Sequence, residues 1–334
     1  MLRVFAARIA TAAPILFVVS LLLFIALRLL PVDPAAMSMP PNATIDEIAA
    51  MHTQMGLDRP IVVQYGIWLD SAVHGDFGRS IHLRRPVLPL IGETLPATLE
   101  LAVCAMVIAG VLGVGGGLGL FALRERRAEA VAETGTTLLM SIPEFLWALL
   151  FIFLFGVALH ALPFTGRLDP NMTKPDITGF LFIDALLIGR PDVFASAVLH
   201  LVLPAAALGI AFSPPIMRVL RSSLLDVYHD DYIRQARLRG LSEWRILWRH
   251  ALKNAALPTL TLMGVQFGFL FGGSLLVEVI YSYPGLGNLM VDAVRNTDLP
   301  LIQAIGLTYC IVVLIINTAV DSLYVVLNPK LRVR

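Results

Sequence analysis

Two carboxylates, those of Glu144 and Glu278, stand in otherwise apolar stretches of this 334-residue sequence. An ionisable side chain inside a membrane span is a functional candidate by default, for instance in proton coupling. Placing Glu144 at the centre of a membrane helix would cost about 3 kcal/mol, by analogy with Asp. The eleven Leu, Ile, Phe and Val residues among residues 145–159 offset this cost by roughly 3–7 kcal/mol. We therefore expect Glu144 to line a cavity or pack against a neighbouring helix in preference to carrying protons.

Glu278 lies close to the end of an apolar run and is followed by Pro284, Gly285 and Gly287. Two roles are open for its carboxylate. It can contact a substrate or a gate, or it can cap the helix that restarts after Pro284. Together with Glu144, these four residues are the candidate pathway or gate residues of the chain.

The motifs of common catalytic sites are absent from the sequence. There is no G-x-x-x-x-G-K-[ST] loop and no Gly-Lys pair, so the chain has no such loop to hold the phosphates of ATP. No G-x-S-x-G or H-E-x-x-H occurs, which argues against an intramembrane hydrolase. His200 has no second ligand at helical spacing, and Cys104 and Cys310 fall inside apolar runs, so we expect no metal site and no disulfide. The chain is expected not to be an enzyme and to bind no cofactor.

The composition is that of a polytopic membrane protein. Apolar residues make up 57% of the chain, charged residues 15%, and the mean hydropathy is +0.78. A net charge of +1 leaves no surplus of positive charge to neutralise nucleic-acid phosphates. The sequence therefore predicts an all-α integral membrane protein without a nucleic-acid partner.

Six apolar runs are long enough to cross a membrane, and they predict six transmembrane helices. They cover residues 9–27, 101–123, 134–162, 201–217, 257–280 and 301–320. The first is longer than the apolar core of a signal peptide, which predicts a retained span. Pro143 is expected to kink or redirect the third. The glycines of the second, from Gly110 to Gly119, are expected to allow close helix packing.

The stretch between the fourth and fifth runs is polar and strongly basic, and it reads as two short helices that meet at a bend. Gly240 interrupts the helical pattern, and Ser242 is expected to be the N-cap of the second helix, with Glu243 in its first turn. Six cations in residues 231–258 face only two carboxylates, which predicts a cytosolic location. An alternative structure would also account for the basic residues, namely an amphipathic helix that lies on anionic lipid headgroups.

The distribution of charge predicts that both termini are cytosolic. Sixteen of the 25 Lys and Arg residues fall on one side of a six-span arrangement, on short loops and at the two ends. The other side carries a long segment, residues 30–99, that is expected to be structured. Thr44 and Glu47 form a capping box there, Gly56 can close that helix, and Pro60 can open the next one.

Residues 231–258 resemble one protein family closely. The peptide-transport permeases of bacterial ABC importers carry a stretch close to D-Y-x-R-x-A-R-x-K-G-L followed by R-H-A-L-R-N-A-x-x-P, and this chain matches it from Asp231 to Pro258. Of the more general EAA loop of importer permeases, only Ala236 and Gly240 fit. Further similarities extend the resemblance over nearly the whole chain: Leu30-Pro31-Val32-Asp33-Pro34, with Val32 where Gly is usual; Gly75-Asp76-Phe77-Gly78-Arg79-Ser80; Ser141-Ile142-Pro143; Ile177-Thr178-Gly179-Phe180 with Ile183-Asp184; and Glu278 to Gly287, with Tyr283 where Trp is commoner.

The resemblance implies the type I importer permease fold, in which two such subunits enclose a path for substrate. It also implies partners: a second homologous permease, two ATP-binding subunits that hold ATP and Mg²⁺, and a periplasmic substrate-binding protein. Residues 1–99 would form the first span and an external loop, and residues 100–334 the core, with a coupling loop at about residues 218–256. The residues expected to couple the chain to an ATPase are Asp231, Tyr232, Ala236, Arg237, Gly240, Leu241, Arg249, His250 and Asn254.

The function implied is import of di- and oligopeptides across the bacterial inner membrane. The same machinery importing nickel, glutathione or opines is the alternative within the family, because fold does not fix the substrate. A secondary transporter is the alternative from another class. It would need coupling carboxylates and internal repeats, and the sequence offers only Glu144 and Glu278 and no clear repeat.

Overall fold

The computed structural model describes residues 2–31, 33–40 and 42–327. Regular secondary structure in this part of the chain is entirely helical, with one isolated β-bridge between Arg79 and Pro86. The prediction of an all-α protein is confirmed. Val32 of the predicted exit from the first span, and Lys330, Arg332 and Arg334 of the predicted cytosolic tail, lie outside the described residues.

Fourteen helices follow one another along the described residues. They are α1 (Leu2–Arg28), α2 (Pro34–Ser38), α3 (Ile45–Gln54), α4 (Ile61–Val73), α5 (Val87–Ala122), α6 (Ala128–Ser141), α7 (Glu144–Phe151), α8 (Leu181–Leu187), α9 (Pro191–Tyr228), α10 (Asp231–Leu238), α11 (Glu243–Ile246), α12 (Leu252–Ile280), α13 (Leu286–Arg295) and α14 (Leu299–Leu327). Two π-helical segments extend this set: Ile152–Ala158 continues α7, and Leu247–Ala251 joins α11 to α12.

Among the described residues, five helices are long and apolar enough to cross a membrane. A sixth span results if α6 and α7 with its π-helical extension are taken as one bent span. The bend between them is 92° and falls at Ile142 and Pro143, whose backbone is extended. Proline disfavours a helical conformation in the residue before it and cannot donate a backbone hydrogen bond. The predicted redirection of the third span at Pro143 is therefore confirmed.

The chain divides into two compact units. The first combines Met1–Pro96 with Pro284–Leu314. Its α4 packs on α1 through Tyr65, whose hydroxyl lies 2.8 Å from Ser20 Oγ and whose ring meets Phe17 and Phe24 edge-on. The predicted capping box is present, because Glu47 N donates to Thr44 Oγ1 and Thr44 N donates to Glu47 Oε2. The segment between α1 and α5 is thus structured, as the sequence predicts.

The second unit combines Ala97–Tyr283 with Ile315–Arg334, and α9 runs through its centre. Two glycines of α5 allow α9 to approach closely. A Cβ on Gly113 would lie 2.5 Å from Ile216, and one on Gly117 would lie 2.9 Å from the carbonyl oxygen of Met217. Gly115 and Gly119 face open space, so the expected close packing holds for one face of α5 and is wrong for these two positions.

Candidate functional site

The bend in the basic stretch is made by the backbone at Gly240. Its φ is +76°, and a Cβ added there would meet nothing within 4 Å, so glycine is needed for its torsion and not for space. Gly240 N donates to Arg237 O at 2.9 Å, and Leu241 N donates to Ala236 O at 3.2 Å. This pair of bonds is the Schellman ending of a helix. It stops α10 and turns the chain toward α11.

The helix that follows the bend differs from the prediction in two ways. It is not short, because α11 continues through the π-helical segment into α12 and forms a run from Glu243 to Ile280. Ser242 occupies the N-cap position with an extended backbone, yet its side chain makes no capping hydrogen bond. Glu243 instead turns back to Arg237, whose Nε lies 2.7 Å from Glu243 Oε1. The loop is therefore continuous with a span on one side and braced across the bend.

The inner face of this loop is packed onto the spans of its own unit. Ile233, Ala236 and Ile246 are buried there. They belong to one apolar cluster with residues of α5, α9, the π-helical segment and α12: Phe121, Leu220, Leu224, Ala251 and Ala255. Ala236 is only 6% exposed, so this predicted coupling residue faces inward and is not part of the free surface.

Three other predicted coupling residues also hold the loop in place. Asn254 Nδ2 donates to the Tyr232 hydroxyl at 2.7 Å, which ties α10 to α12. The Arg237 guanidinium lies 5.2 Å from the centre of the Tyr228 ring, and Arg124 lies 5.1 Å from the same ring. The hydrogen bond and charge of Glu243 raise the pKa of Arg237. These contacts connect the loop to the ends of α5, α9 and α12.

The outer face of the loop is exposed and carries apolar and basic side chains together. Leu238 is 81% exposed, Trp244 is 70% exposed and Trp248 is 45% exposed. The two indole rings lie 5.3 Å apart. None of these three residues is among the predicted coupling residues, although large apolar side chains in a polar loop can be recognised from the sequence.

The remaining predicted coupling residues are divided between the two faces, because Leu241 packs against the apolar cluster of the inner face. Asp231 and Arg249 are exposed, while Leu241 and His250 are half-buried. Asp231 is in the first turn of α10, and Asp230 is its N-cap. The structure thus brings the predicted set into one loop and divides it into a packed side and a free side.

Glu144, the first of the candidate pathway residues, begins α7 directly after Pro143 and is half-buried. Its Oε1 lies 3.8 Å from the position that a Cβ on Gly273 would take, so it faces a glycine of α12. This position is compatible with a lining or packing role.

No group of His, Cys, Asp and Glu side chains in the described residues could hold a metal ion.

Glu278 is fully buried, and its Oε1 accepts hydrogen bonds from the hydroxyls of Thr98 at 2.7 Å and Ser274 at 3.2 Å. It has no surface that a substrate could reach in this conformation. In the first unit, Gly285 is the N-cap of α13, Gly285 and Gly287 are buried, and Pro284 is exposed. The roles of these four residues in a path or gate stay predictions.

A buried ion pair between α5 and the loop before α9 was not predicted from the sequence. Arg167 Nη2 lies 2.5 Å from Glu100 Oε2 and donates to Gly179 O at 3.1 Å. Both charged side chains are less than 10% exposed. Glu100 Oε1 also accepts from Phe182 N at 3.2 Å. One carboxylate on α5 therefore holds two points of the loop that precedes α9.

Hydrogen bonds to one carboxylate hold the conformation of the segment from Ile177 to Asp184. Asp184 is fully buried and accepts hydrogen bonds from the backbone N–H groups of Ile177, Thr178 and Gly179 and from the Thr178 hydroxyl, at 2.6–3.2 Å. Burial alone would raise the pKa of Asp184, but these hydrogen bonds outweigh it and hold that pKa below its ordinary value. The I-T-G-F-x-x-I-D pattern is thus a loop whose backbone N–H groups are bound by the carboxylate at its own end.

Comparison with known protein families gives two matches that together cover most of the chain. Residues 109–333 match the model described as binding-protein-dependent transport system inner membrane component, and residues 1–102 match the N-terminal model of the same kind of component.

Similar curated proteins span the full length. The di/tripeptide transport system permease protein DppB of Pseudomonas aeruginosa (strain UCBPP-PA14) is 37% identical, with 99% of each chain covered. The dipeptide transport system permease protein DppB of Escherichia coli (strain K12) is 36% identical over 99% of each. The glutathione transport system permease protein GsiC of the same organism is 36% identical over 97% of each.

Among solved structures, a chain of the MetNI methionine ABC transporter in an inward-facing conformation has the same fold. The TM-score is 0.56 at 16% sequence identity, and the match covers 72% of this chain and 98% of that one.

Proposed function

The chain belongs to the family of binding-protein-dependent transport system inner membrane components, and from that premise we propose that it forms half of a path by which di- and oligopeptides enter the cell. It is a permease subunit with the type I importer fold. The observation that supports the peptide substrate is full-length similarity to dipeptide permeases at 36–37% identity.

The partners proposed for this chain are a second homologous permease, two ATP-binding subunits and a periplasmic binding protein. ATP and Mg²⁺ would be held by the ATP-binding subunits, because the sequence has no Walker-type phosphate loop. The purified chain alone is expected to hydrolyse no ATP. Hydrolysis that persists after rigorous purification, in the absence of any other subunit, would contradict this expectation.

The loop from α10 to α11 is proposed as the contact with an ATP-binding subunit. Its free side offers Leu238, Trp244 and Trp248, and its packed side is fixed to α5, α9 and α12. A partner can shift a two-state equilibrium only by contacting the two states differently. A loop that is rigidly attached to three membrane helices would transmit such a difference to the path between the two permease subunits.

The proposed orientation places both termini and this loop in the cytosol. A cysteine at Ser242, which is exposed, should react with a membrane-impermeant thiol reagent only from the cytosolic side. A cysteine at Ala49, on the exposed surface of α3, should react only from outside. Ser80 of the same segment does not suit such labelling, because it is 2% exposed and donates to Asp298 Oδ2 at 2.5 Å. Reversed labelling would overturn the orientation.

Glutathione is a second candidate substrate, supported by a glutathione permease at 36% identity over 97% of this chain. The experiment is to reconstitute the chain with its partner subunits in vesicles and measure uptake of a labelled dipeptide and of labelled glutathione, each with and without ATP and the binding protein. Peptide uptake that depends on all components supports the proposal, and uptake of glutathione alone would replace it.

A further inference from the structure

Two adjoining cavities in the first unit are lined by polar groups that the proposed function does not use. One, of about 220 Å³, is walled mainly by Phe24, Leu27, Trp68 and Leu299. The other, of about 710 Å³, is walled by more polar residues, among them Asp33, Arg59 and Gln64. Leu27, Arg28 and Pro34 line both. Small-molecule sites are typically about 300–1,000 Å³, so the pair has the size of a ligand site.

Arg28 lines both cavities, and no counter-ion for it is present among the described residues. It is half-buried, its guanidinium lies 5.1 Å from the centre of the Phe24 ring, and the described residues give it no hydrogen bond or ion pair. A half-buried guanidinium without an anion is costly, because much of its hydration is lost and the ring replaces only part of it. An anionic group at this point would complete the site.

Two amide groups on the cavity walls are also incomplete within the described part of the chain. Gln303 lines the apolar cavity, is 8% exposed, and its Nε2 is buried without a hydrogen-bond partner. Gln64 lines the polar cavity, and its Nε2 donates to Leu57 O and Arg59 O while its Oε1 is buried without a partner. The apolar cavity therefore has a free donor, and the polar cavity has a free acceptor.

The cavities lie at a membrane–water boundary. The first apolar span ends at Arg28, and the last begins at Leu299, and both residues line the apolar cavity. Only 11% of the first span is buried within the chain, so most of its surface is open to a surrounding bilayer. Phospholipid headgroups and ester groups occupy this depth, and Trp side chains such as Trp68 are enriched there.

We propose that these cavities bind one phospholipid with an amine headgroup. Its phosphate lies on Arg28, one acyl ester carbonyl accepts from Gln303 Nε2, and an acyl chain follows Phe24 and Leu299. The headgroup ammonium lies in the polar cavity against Gln64 Oε1 and Asp33. Asp33 already accepts from Ala35 N and His52 Nε2, each at 2.9 Å, so it is a fixed carboxylate at this place. The acceptors at this end of the site, the Asp33 carboxylate and Gln64 Oε1, suit the ammonium of such a headgroup.

The test uses the full-length chain purified with its partner subunits in a mild detergent and exposed to equal amounts of phosphatidylethanolamine and phosphatidylglycerol. Native mass spectrometry then counts the phospholipids that survive extended washing. The wild type should retain phosphatidylethanolamine. Arg28→Gln should lower its occupancy about tenfold, since a charge-assisted bond to the phosphate is lost. Arg28→Lys should retain most of it, and Gln303→Leu should lower it less than Arg28→Gln does.

Matched controls separate this site from general lipid binding. Arg84→Gln removes an exposed cation of the same unit that lines neither cavity, and it should leave retention unchanged. Ser71→Trp fills the apolar cavity without touching Arg28 and should lower retention even if Arg28→Gln assembles poorly. Equal retention in wild type, Arg28→Gln and Ser71→Trp would overturn the proposal. So would equal retention of phosphatidylglycerol, or displacement of the lipid by a labelled dipeptide.

Discussion

Two polar loops of the second unit differ in whether their charged side chains are buried and paired or exposed and unpaired. The loop before α9 buries Arg167 against Glu100 and surrounds the carboxylate of Asp184 with four donors. The loop from α10 to α11 leaves Arg234, Arg239 and Arg245 exposed, and none of these has an ion pair within the described residues. Paired, buried charges fix a loop on its own spans, whereas free charges beside exposed apolar side chains leave a surface for a partner.

The largest expected effect of a single substitution is therefore in the loop before α9. Arg167→Met leaves the carboxylate of Glu100 buried without its counter-ion, so the free energy of unfolding should fall by about 3–5 kcal/mol. Thermal and denaturant unfolding of the purified complex in detergent would measure this loss. The double variant Arg167→Met with Glu100→Leu should recover much of it. A loss below about 1 kcal/mol, the usual size for an exposed pair, would show that water reaches the pair.

The next effect in size is at Asp184. Asp184→Asn replaces one acceptor oxygen by an NH2 group, which is a donor and would face N–H donors. The free energy of unfolding should therefore fall by about 2 kcal/mol. Hydrogen exchange of residues 177–184 should accelerate, because their N–H groups lose a fixed acceptor. Asp192→Asn is the matched control, since Asp192 pairs only with Arg190 on an exposed surface. If both variants exchange alike, Asp184 does not hold the loop together.

Features that depend on neighbours in sequence could be predicted. The Thr44 and Glu47 capping box and the bend at Pro143 each follow from a few consecutive residues, and both are present. Gly240 has the positive φ that its place between two helical patterns suggested. Ser242 shows the limit, because it occupies the predicted N-cap position and yet its side chain makes no capping hydrogen bond. The orientation of a side chain is decided by geometry that the local sequence does not contain.

Features that depend on distant residues were not predictable. Glu100 and Arg167 are 67 positions apart, and no spacing rule links them. The I-T-G-F-x-x-I-D pattern was noticed only as a resemblance, because its chemistry appears when four donors converge on Asp184. Ala236 was expected to face outward, yet it belongs to an apolar cluster that draws on α5, α9 and α12. Which side of a short helix is free depends on what the rest of the chain covers.

The third prediction concerns function in the loop from α10 to α11. Leu238→Asp should leave the unfolding temperature of the purified complex unchanged, because Leu238 is 81% exposed. It should lower ATP-driven uptake about tenfold, as expected for an anchor at the centre of a contact. Ile177→Asp, an equally radical change at a residue 60% exposed in the loop before α9, should leave the coupling of hydrolysis to uptake intact. Equal losses of uptake in the two variants would show that the two loops do not differ in this function.

The smallest of the expected losses of stability comes from a matched pair of glycines, Gly240 in the α10 to α11 loop and Gly189 in the loop before α9. Their φ angles are +76° and +64°, and a Cβ at either position would meet nothing within 4 Å. Alanine at either site should therefore cost only the strain of the left-handed conformation, about 1–2 kcal/mol. Differential scanning fluorimetry of Gly240→Ala and Gly189→Ala should give nearly equal shifts.

Tryptophan at the same two positions then tests for a partner. The chain itself has open space beside both glycines, so Gly240→Trp and Gly189→Trp should destabilise the isolated chain about as much as the alanine variants do. In the reconstituted importer, however, Gly240→Trp would push against whatever covers the free side of its loop. ATP hydrolysis should then continue while uptake falls, and Gly189→Trp should keep the two coupled. Normal uptake by Gly240→Trp would mean that the bend is not a contact with the ATP-binding subunit, and loss of the protein from the membrane would mean that it is needed for folding.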